Sequence, residues 1–268
     1  MARLKVHIDR LIENIDTITA FMRKHNKEWT LVVKVLGTDK AVLTHLLQHE
    51  AMLGTHSIAV SQWKGLRMVK ELNPNLVTMY IKPPSPKNVS YIVKYADISL
   101  NTTLSTIKAL SDEAVKQNKT HRVIVMVEMG ELREGIKREG LMPFYKSIFK
   151  LPNIQVIGIG TNLGCMYGIQ PTYDKLIQLV LYEQLIEAKF KRQMELVSGA
   201  SSITMPILEK GKVPEGINHF RIGEAVFLGT SPLDNKPILG LNTGAFTFEA
   251  TIVELYKKEN QPDGVITE

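Results

Sequence analysis

Four stretches carry residue types that could do chemistry together. Lys34 lies within Leu31-Val-Val-Lys-Val-Leu36, where five of six residues are apolar. An ammonium normally titrates near about 10.4, and burying it unpaired either costs several kcal/mol or drives it neutral. A partly desolvated lysine is a nucleophile toward carbonyl carbon, as a Schiff-base lysine must be. The plainer alternative is a strand-end lysine whose stem lies on apolar surface while its amine reaches water. Ser198-Gly-Ala-Ser-Ser202 and Arg221-Ile-Gly-Glu224 are rich in small and hydroxylated residues. The Ser201 hydroxyl and the backbone N–H groups of Gly223 and Glu224 are suited to gripping an anion at a helix start. On composition alone, Ser198–Ser202 is equally a loop with a helix cap. Glu128-Met-Gly-Glu-Leu-Arg-Glu-Gly135 adds Arg133, whose simplest partner is Glu131 or Glu134 in a surface ion pair of little energetic weight.

These residues need elements to bring them together. Apolar runs suited to strands begin near Leu31, Ser57, Leu76, Asp97, Arg122, Ile154, Glu195 and His219. Stretches of helical character lie between them, among them Ala41–His49, Trp63–Leu72, Leu104–Gln117 and Tyr173–Lys191. Such alternation calls for a parallel sheet, and eight units predict an α/β fold, a closed (β/α)8 TIM-type barrel. Functional groups in that architecture come from the C-terminal strand ends, where Lys34, Arg133, Ser201 and Arg221 all fall. Past Gly229 the texture changes to Pro- and Gly-punctuated loop, then to an alternating segment over Phe246–Tyr256. The expected division is a barrel over residues 1–232 and the start of an incomplete C-terminal β domain over 233–268.

Composition removes several classes. The chain has 268 residues, 44% apolar and 22% charged, so it can bury a large core. A net charge of +6 without a basic run interleaved with aromatics argues against nucleic acid as partner. No apolar run approaches a bilayer span, and Cys165, the single cysteine, is expected as a small buried loop residue in a reducing compartment. A soluble, cytoplasmic protein is expected. A glycosidase would need acids on two strand ends, and strand seven ends without one. Gly158, Gly160 and Gly164 give a poor dinucleotide signature after a sixth strand. His45 and His49 with nearby His56 fit a solvated helix face better than a metal site.

An amine on strand one facing an anion grip at strands seven and eight is what pyridoxal 5'-phosphate needs. The chain resembles the alanine racemase N-terminal domain family, the fold-type III pyridoxal-phosphate enzymes, and within it the branch containing ornithine racemase. The matching stretches are Val32-Val-Lys-Val35, Val127–Ile136, Gly158–Cys165, Ser198–Ser202 and Asn218-His-Phe-Arg-Ile-Gly-Glu-Ala225, in family order. The resemblance implies an amino acid racemase of alanine or ornithine type, interconverting L- and D-amino acids. In it Lys34 forms the Schiff base and then serves as base on one face of the substrate. It further implies that Ser201, Gly223 and Glu224 hold the phosphate and that Arg221 faces the pyridine nitrogen. Asn162 takes the place of a family histidine beside the cofactor. Arg133 would lie near the phenolic oxygen and the substrate carboxylate, and a homodimer is implied.

The departures from the alanine racemases bear on substrate. Thr38 stands where they usually carry tyrosine, Asn162 where they carry histidine, and Ala200 where an asparagine precedes the phosphate serine. In alanine racemases the second base is a tyrosine of the C-terminal domain, beyond residue 268. The expectation is therefore a truncated form or fragment with reduced activity, with Tyr167 a stand-in for that base. The alternative is a non-catalytic pyridoxal-phosphate homeostasis protein, a single barrel of the same fold.

Overall fold

The computed structural model describes residues 2–266. An N-terminal strand β1 (Ala2–Val6) and helix α1 (Ile8–Lys24) precede the barrel. The barrel then runs β2 (Glu28–Val32), α2 (Lys40–Leu47), β3 (Ser57–Val60), α3 (Trp63–Leu72), β4 (Thr78–Tyr80) and α4 (Val89–Tyr95). It continues through β5 (Ile98–Asn101), α5 (Leu104–Lys116), β6 (His121–Met126), α6 (Leu141–Ile148), β7 (Ile154–Gly160) and α7 (Tyr173–Phe190). It ends with β8 (Leu196–Ser198), β9 (Ala200–Ser201), α8 (Met205–Glu209), β10 (His219–Ile222) and α9 (Glu224–Leu228), and β11 (Phe246–Ala250) follows.

The strands pair in parallel in the order β8-β7-β6-β5-β4-β3-β2-β10-β9. Only Gly199 separates β8 from β9, so the two are halves of one stave and the sheet closes as the expected (β/α)8 barrel. Parallel strands of this kind are buried on both faces, and the core divides accordingly. Val32, Ala59, Met79, Leu100, Ile124 and Met126 belong to a cluster inside the barrel. Leu11, Ile15 and Ile18 of α1 and the inner faces of the other helices pack outside it. Gly158 and Gly160 lie within β7 and not at a strand-to-helix turn, which removes the dinucleotide reading. A Cβ on Gly160 would stand 3.0 Å from the Ser198 carbonyl oxygen, so glycine there permits close strand approach.

Two expectations about elements are corrected. The first barrel strand stops at Val32, and Lys34–Leu36 form a 3-10 turn ending at Gly37, whose φ is 59°. The last ladder bond runs from Val33 N–H to Ala59 O at 2.9 Å, after which the chain leaves the sheet. The strand expected over Phe246–Tyr256 spans only Phe246–Ala250. It pairs antiparallel with β1, forming a two-stranded sheet apart from the barrel.

Candidate active site

Seven side chains or backbone positions expected at the site line one cavity of about 190 Å³ at the C-terminal mouth of the barrel. Lys34 enters from the turn after β2, Arg133 from the loop after β6, and Asn162 from the end of β7. Ser201, Arg221, Gly223 and Glu224 complete the wall beside Lys34, because β10 pairs directly with β2 and the expected grip adjoins the lysine instead of facing it across the mouth. The Lys34 side chain is exposed here, so the strand-end alternative describes its position and the desolvated amine does not.

Arg221 is the most constrained group of the site. It is 8% exposed, and its Nη1 donates to the Ser198 carbonyl oxygen at 2.6 Å and to Ser198 Oγ. Its Nη2 donates to Thr161 O at 2.6 Å and Asn162 Oδ1 at 2.8 Å. A guanidinium has five N–H donors. Four are thus taken by protein acceptors, and the Nε–H has no partner among the described residues. Burial lowers the Arg221 pKa to about 10, with Glu134 raising and Arg133 lowering it, so it stays protonated at neutral pH. A permanently charged donor left over in the cavity fits an unprotonated ring nitrogen.

Asn162 passes the arrangement on. Its oxygen accepts from Arg221 while its Nδ2 donates to Glu134 Oε1. Glu134 also pairs with Arg133 Nε at 2.7 Å, its own side chain only 12% exposed. Arg133 is therefore ion-paired with Glu134, as the simplest reading expected, and although exposed it also lines the cavity. Its Nη1 donates to Cys165 Sγ at 2.8 Å. Cys165 is exposed and lines the cavity, contrary to the buried position expected. Tyr167 does not line it, and its side chain stands 62% exposed.

Ser201 caps the turn Ser202–Thr204 in a reciprocal capping box, its N–H donating to Thr204 Oγ1 at 3.2 Å. The cap alternative for Ser198–Ser202 is thus present, and Ser201 also lines the cavity. Ser202, given no role of its own within the stretch Ser198–Ser202, accepts through its Oγ from Ala225 N–H at 3.2 Å and fastens this loop to α9. A Cβ on Gly223 would lie 3.0 Å from Val32 O and 3.2 Å from Val32 Cβ, so this position accepts only glycine without movement. In the first turn of α9, Val226 and Phe227 N–H donate to the Gly223 carbonyl and Ala225 N–H to Ser202, which leaves Glu224 N–H without an acceptor among the described residues. Hydroxyl, glycine cradle and helix start together suit a phosphate.

Glu131 was weighed in the sequence only as an ion-pair partner. It is 1% exposed, and its carboxylate accepts six backbone N–H groups from Gly164 through Ile169. Burial alone would raise its pKa, and the N–H donors of Tyr167, Cys165, Met166 and Ile169 outweigh that and hold it below the usual range. The loop carrying Cys165 is therefore wrapped around a buried anion. Nothing local betrays this, because the donors lie 33 to 38 residues further along.

The chain is 34% identical to an ornithine racemase of Acetoanaerobium sticklandii over 98% of its own length and 73% of that protein's. It is 27% identical to a lysine racemase of Thermotoga maritima, covering 98% of this chain and 72% of that one. Among solved structures, an alanine racemase from Bartonella henselae with covalently bound pyridoxal phosphate superposes with a TM-score of 0.69. That likeness covers 92% of this chain and 68% of that one at 19% identity, and it supports the fold. The family described as alanine racemase, N-terminal domain, matches residues 6–231, the whole barrel with its phosphate-side turn, and the chain belongs to that family.

Proposed function

We propose that the protein is a pyridoxal-phosphate-dependent amino acid racemase in which Lys34 holds the cofactor and then moves the substrate Cα proton on one face. The observation that carries this is the gathering of Lys34, Arg221 and the Ser201–Gly223–Glu224 grip around a single cavity. When bound, the cofactor supplies an electron sink for the charge left at Cα as its proton departs. Ser201, Gly223 and Glu224 would hold the phosphate. Arg221, which stays charged at neutral pH, would offer its Nε–H to the pyridine nitrogen and leave that nitrogen unprotonated, which restrains side reactions. Asn162 holds Arg221 in place. Arg133, drawn to the cavity by Glu134, orients the substrate carboxylate.

Basic amino acids, ornithine and lysine, are the preferred substrates in this reading, in keeping with the two racemases that match along nearly the entire chain. The segment 233–268 is read as the start of a second, β-rich domain, supported by the separate β1–β11 sheet. A homodimer fits the apolar groove of about 520 Å³ that borders Lys34 and Glu224, walled by Val35, Leu36, Leu228 and Phe246. A cytoplasmic location fits the exposed thiol of Cys165, and no helix among the described residues is long and apolar enough to cross a membrane.

The test is incubation with pyridoxal phosphate and L-ornithine, L-lysine or L-alanine in D2O. Deuterium entering at Cα, fastest with ornithine or lysine and accompanied by the D-isomer, is expected. Cofactor binding with neither exchange nor D-isomer from any of the three would favour the homeostasis alternative and contradict the proposal.

A further inference from the structure

We propose that His219 is a positioning residue for Arg221, held in the middle of a one-directional hydrogen-bond chain that crosses the barrel core from the cavity to His56. This inference rests on the role given to Arg221 above.

The links are continuous. Arg221 Nη1 donates to Ser198 Oγ, and Ser198 Oγ lies 2.7 Å from His219 Nδ1. His219 Nε2 is 2.8 Å from Thr30 Oγ1, which is 2.7 Å from Ser57 Oγ. Ser57 Oγ meets His56 Nδ1 at 3.2 Å, and His56 Nε2 stands 3.8 Å from Glu28 Oε2. Ser198, His219 and Thr30 have no exposed surface, and Ser57 has 2%. Strand register explains the layer they form. Arg221 sits beside Thr30, and Thr30 beside Ser57, across β10, β2 and β3.

Donor accounting gives the chain its direction. A guanidinium can only donate, so Ser198 Oγ must accept from Arg221. The one hydrogen of Ser198 then goes to His219 Nδ1, which must be the bare nitrogen. His219 therefore carries its proton on Nε2 and donates to Thr30. Thr30 donates to Ser57, and Ser57 donates to His56 Nδ1, whose Nε2 lies 3.8 Å from Glu28 Oε2. In the opposite tautomer, Ser198 would accept twice and its hydrogen would be stranded in the barrel core. A buried unpartnered donor of that kind is costly, and chains of hydrogen bonds reinforce one another. Burial, with His56 and Arg221 nearby, pushes the His219 pKa far below its ordinary value, consistent with a neutral ring.

The consequence concerns Arg221. Ser198 can receive the guanidinium only while its own hydrogen is drawn away, and His219 does the drawing. The Nη1 face is thereby pinned, and Nε–H is left for the cavity. Thr30, outside the cavity lining, becomes a remote support of the cofactor site.

Two measurements test this. In the chain without added cofactor, nitrogen-15 NMR of labelled histidines should show His219 neutral and protonated on Nε2 at pH 7. A proton on Nδ1, or an imidazolium, would overturn the direction of the chain. In cofactor titrations, Thr30→Val should weaken pyridoxal phosphate binding about fivefold, the effect of roughly one hydrogen bond. Thr30→Ser, which keeps the hydroxyl, should bind within about twofold of the original protein. Equal affinity in a folded Thr30→Val would overturn the support assigned to Thr30, and if that variant does not fold, the histidine tautomer decides. Failure of the unaltered chain to bind pyridoxal phosphate would sink the cofactor reading instead, while leaving the tautomer result to stand on its own.

Discussion

Lys34 and Gly223 follow neighbouring strands at the mouth and serve it by opposite means, one through a long mobile side chain and the other through having none. The lysine amine reaches the cavity from a turn, so its stem sets its range and no strand geometry confines it. Gly223 has no such tolerance, because the Val32 carbonyl that a methyl group would meet belongs to the barrel wall and cannot swing aside. Gly223→Ala should displace the N–H groups of the phosphate grip and weaken pyridoxal phosphate binding by about tenfold or more, a loss of ~1–3 kcal/mol typical of forced overpacking. Its melting temperature should fall only slightly. Cofactor titration checks this, and unchanged affinity would remove Gly223 from the grip. Residue identities at the mouth were legible in the sequence because small, hydroxylated and charged residues interrupt apolar runs there. Burial was less so. Lys34 was placed inside a strand because Val33, Val35 and Leu36 extend the apolar run past the last ladder bond at Val33. Cys165 was placed in the interior because nothing nearby signals that its loop is turned inside out around Glu131.

The loop after β7 depends on an anion supplied from the loop after β6. Six N–H groups converge on the Glu131 carboxylate, so the segment Gly164–Ile169 has no need of helix or strand to satisfy its backbone. Glu131→Gln keeps the shape, removes the charge and turns an amide N–H toward donors. The expected result is a loss of roughly 2–4 kcal/mol of stability at pH 7. The sign with pH follows from a carboxyl whose folded pKa lies below its unfolded value near about 4.5. The unfolded chain takes up the proton first, so the contribution is present above about pH 4.5 and fades as pH falls through the folded pKa. Thermal melts of the two proteins from pH 7 downward should therefore converge in acid, and matching stability at pH 7 would contradict the clamp. Element order and helix–strand alternation could be read from periodicity alone. The clamp, like the contact of His219 with Thr30 across 189 residues, arises only when the barrel closes.

At the scale of the molecule, barrel closure creates the site. Strands β2, β6, β7, β9 and β10 each deliver one to three groups, and closure sets the turn after β2 directly beside the grip after β9 and β10. The interior below the mouth is layered, with an apolar cluster under part of the cavity and a polar layer joining Arg221 to the far side. That layer lets a charged guanidinium sit in a barrel core with four of its donors paired to protein acceptors. The (β/α)8 architecture was legible because eight apolar runs alternate with helical stretches. The closing stave was harder, since Gly199 divides it into pieces of three and two residues. The central claim is that this architecture presents one particular amine to one cofactor. Reduction of the pyridoxal-phosphate-loaded protein with borohydride, followed by peptide mapping, measures that directly. The account predicts a pyridoxyl group fixed on Lys34 and its loss in Lys34→Ala. Fixation at any other lysine, with Lys34 unmodified, would contradict it.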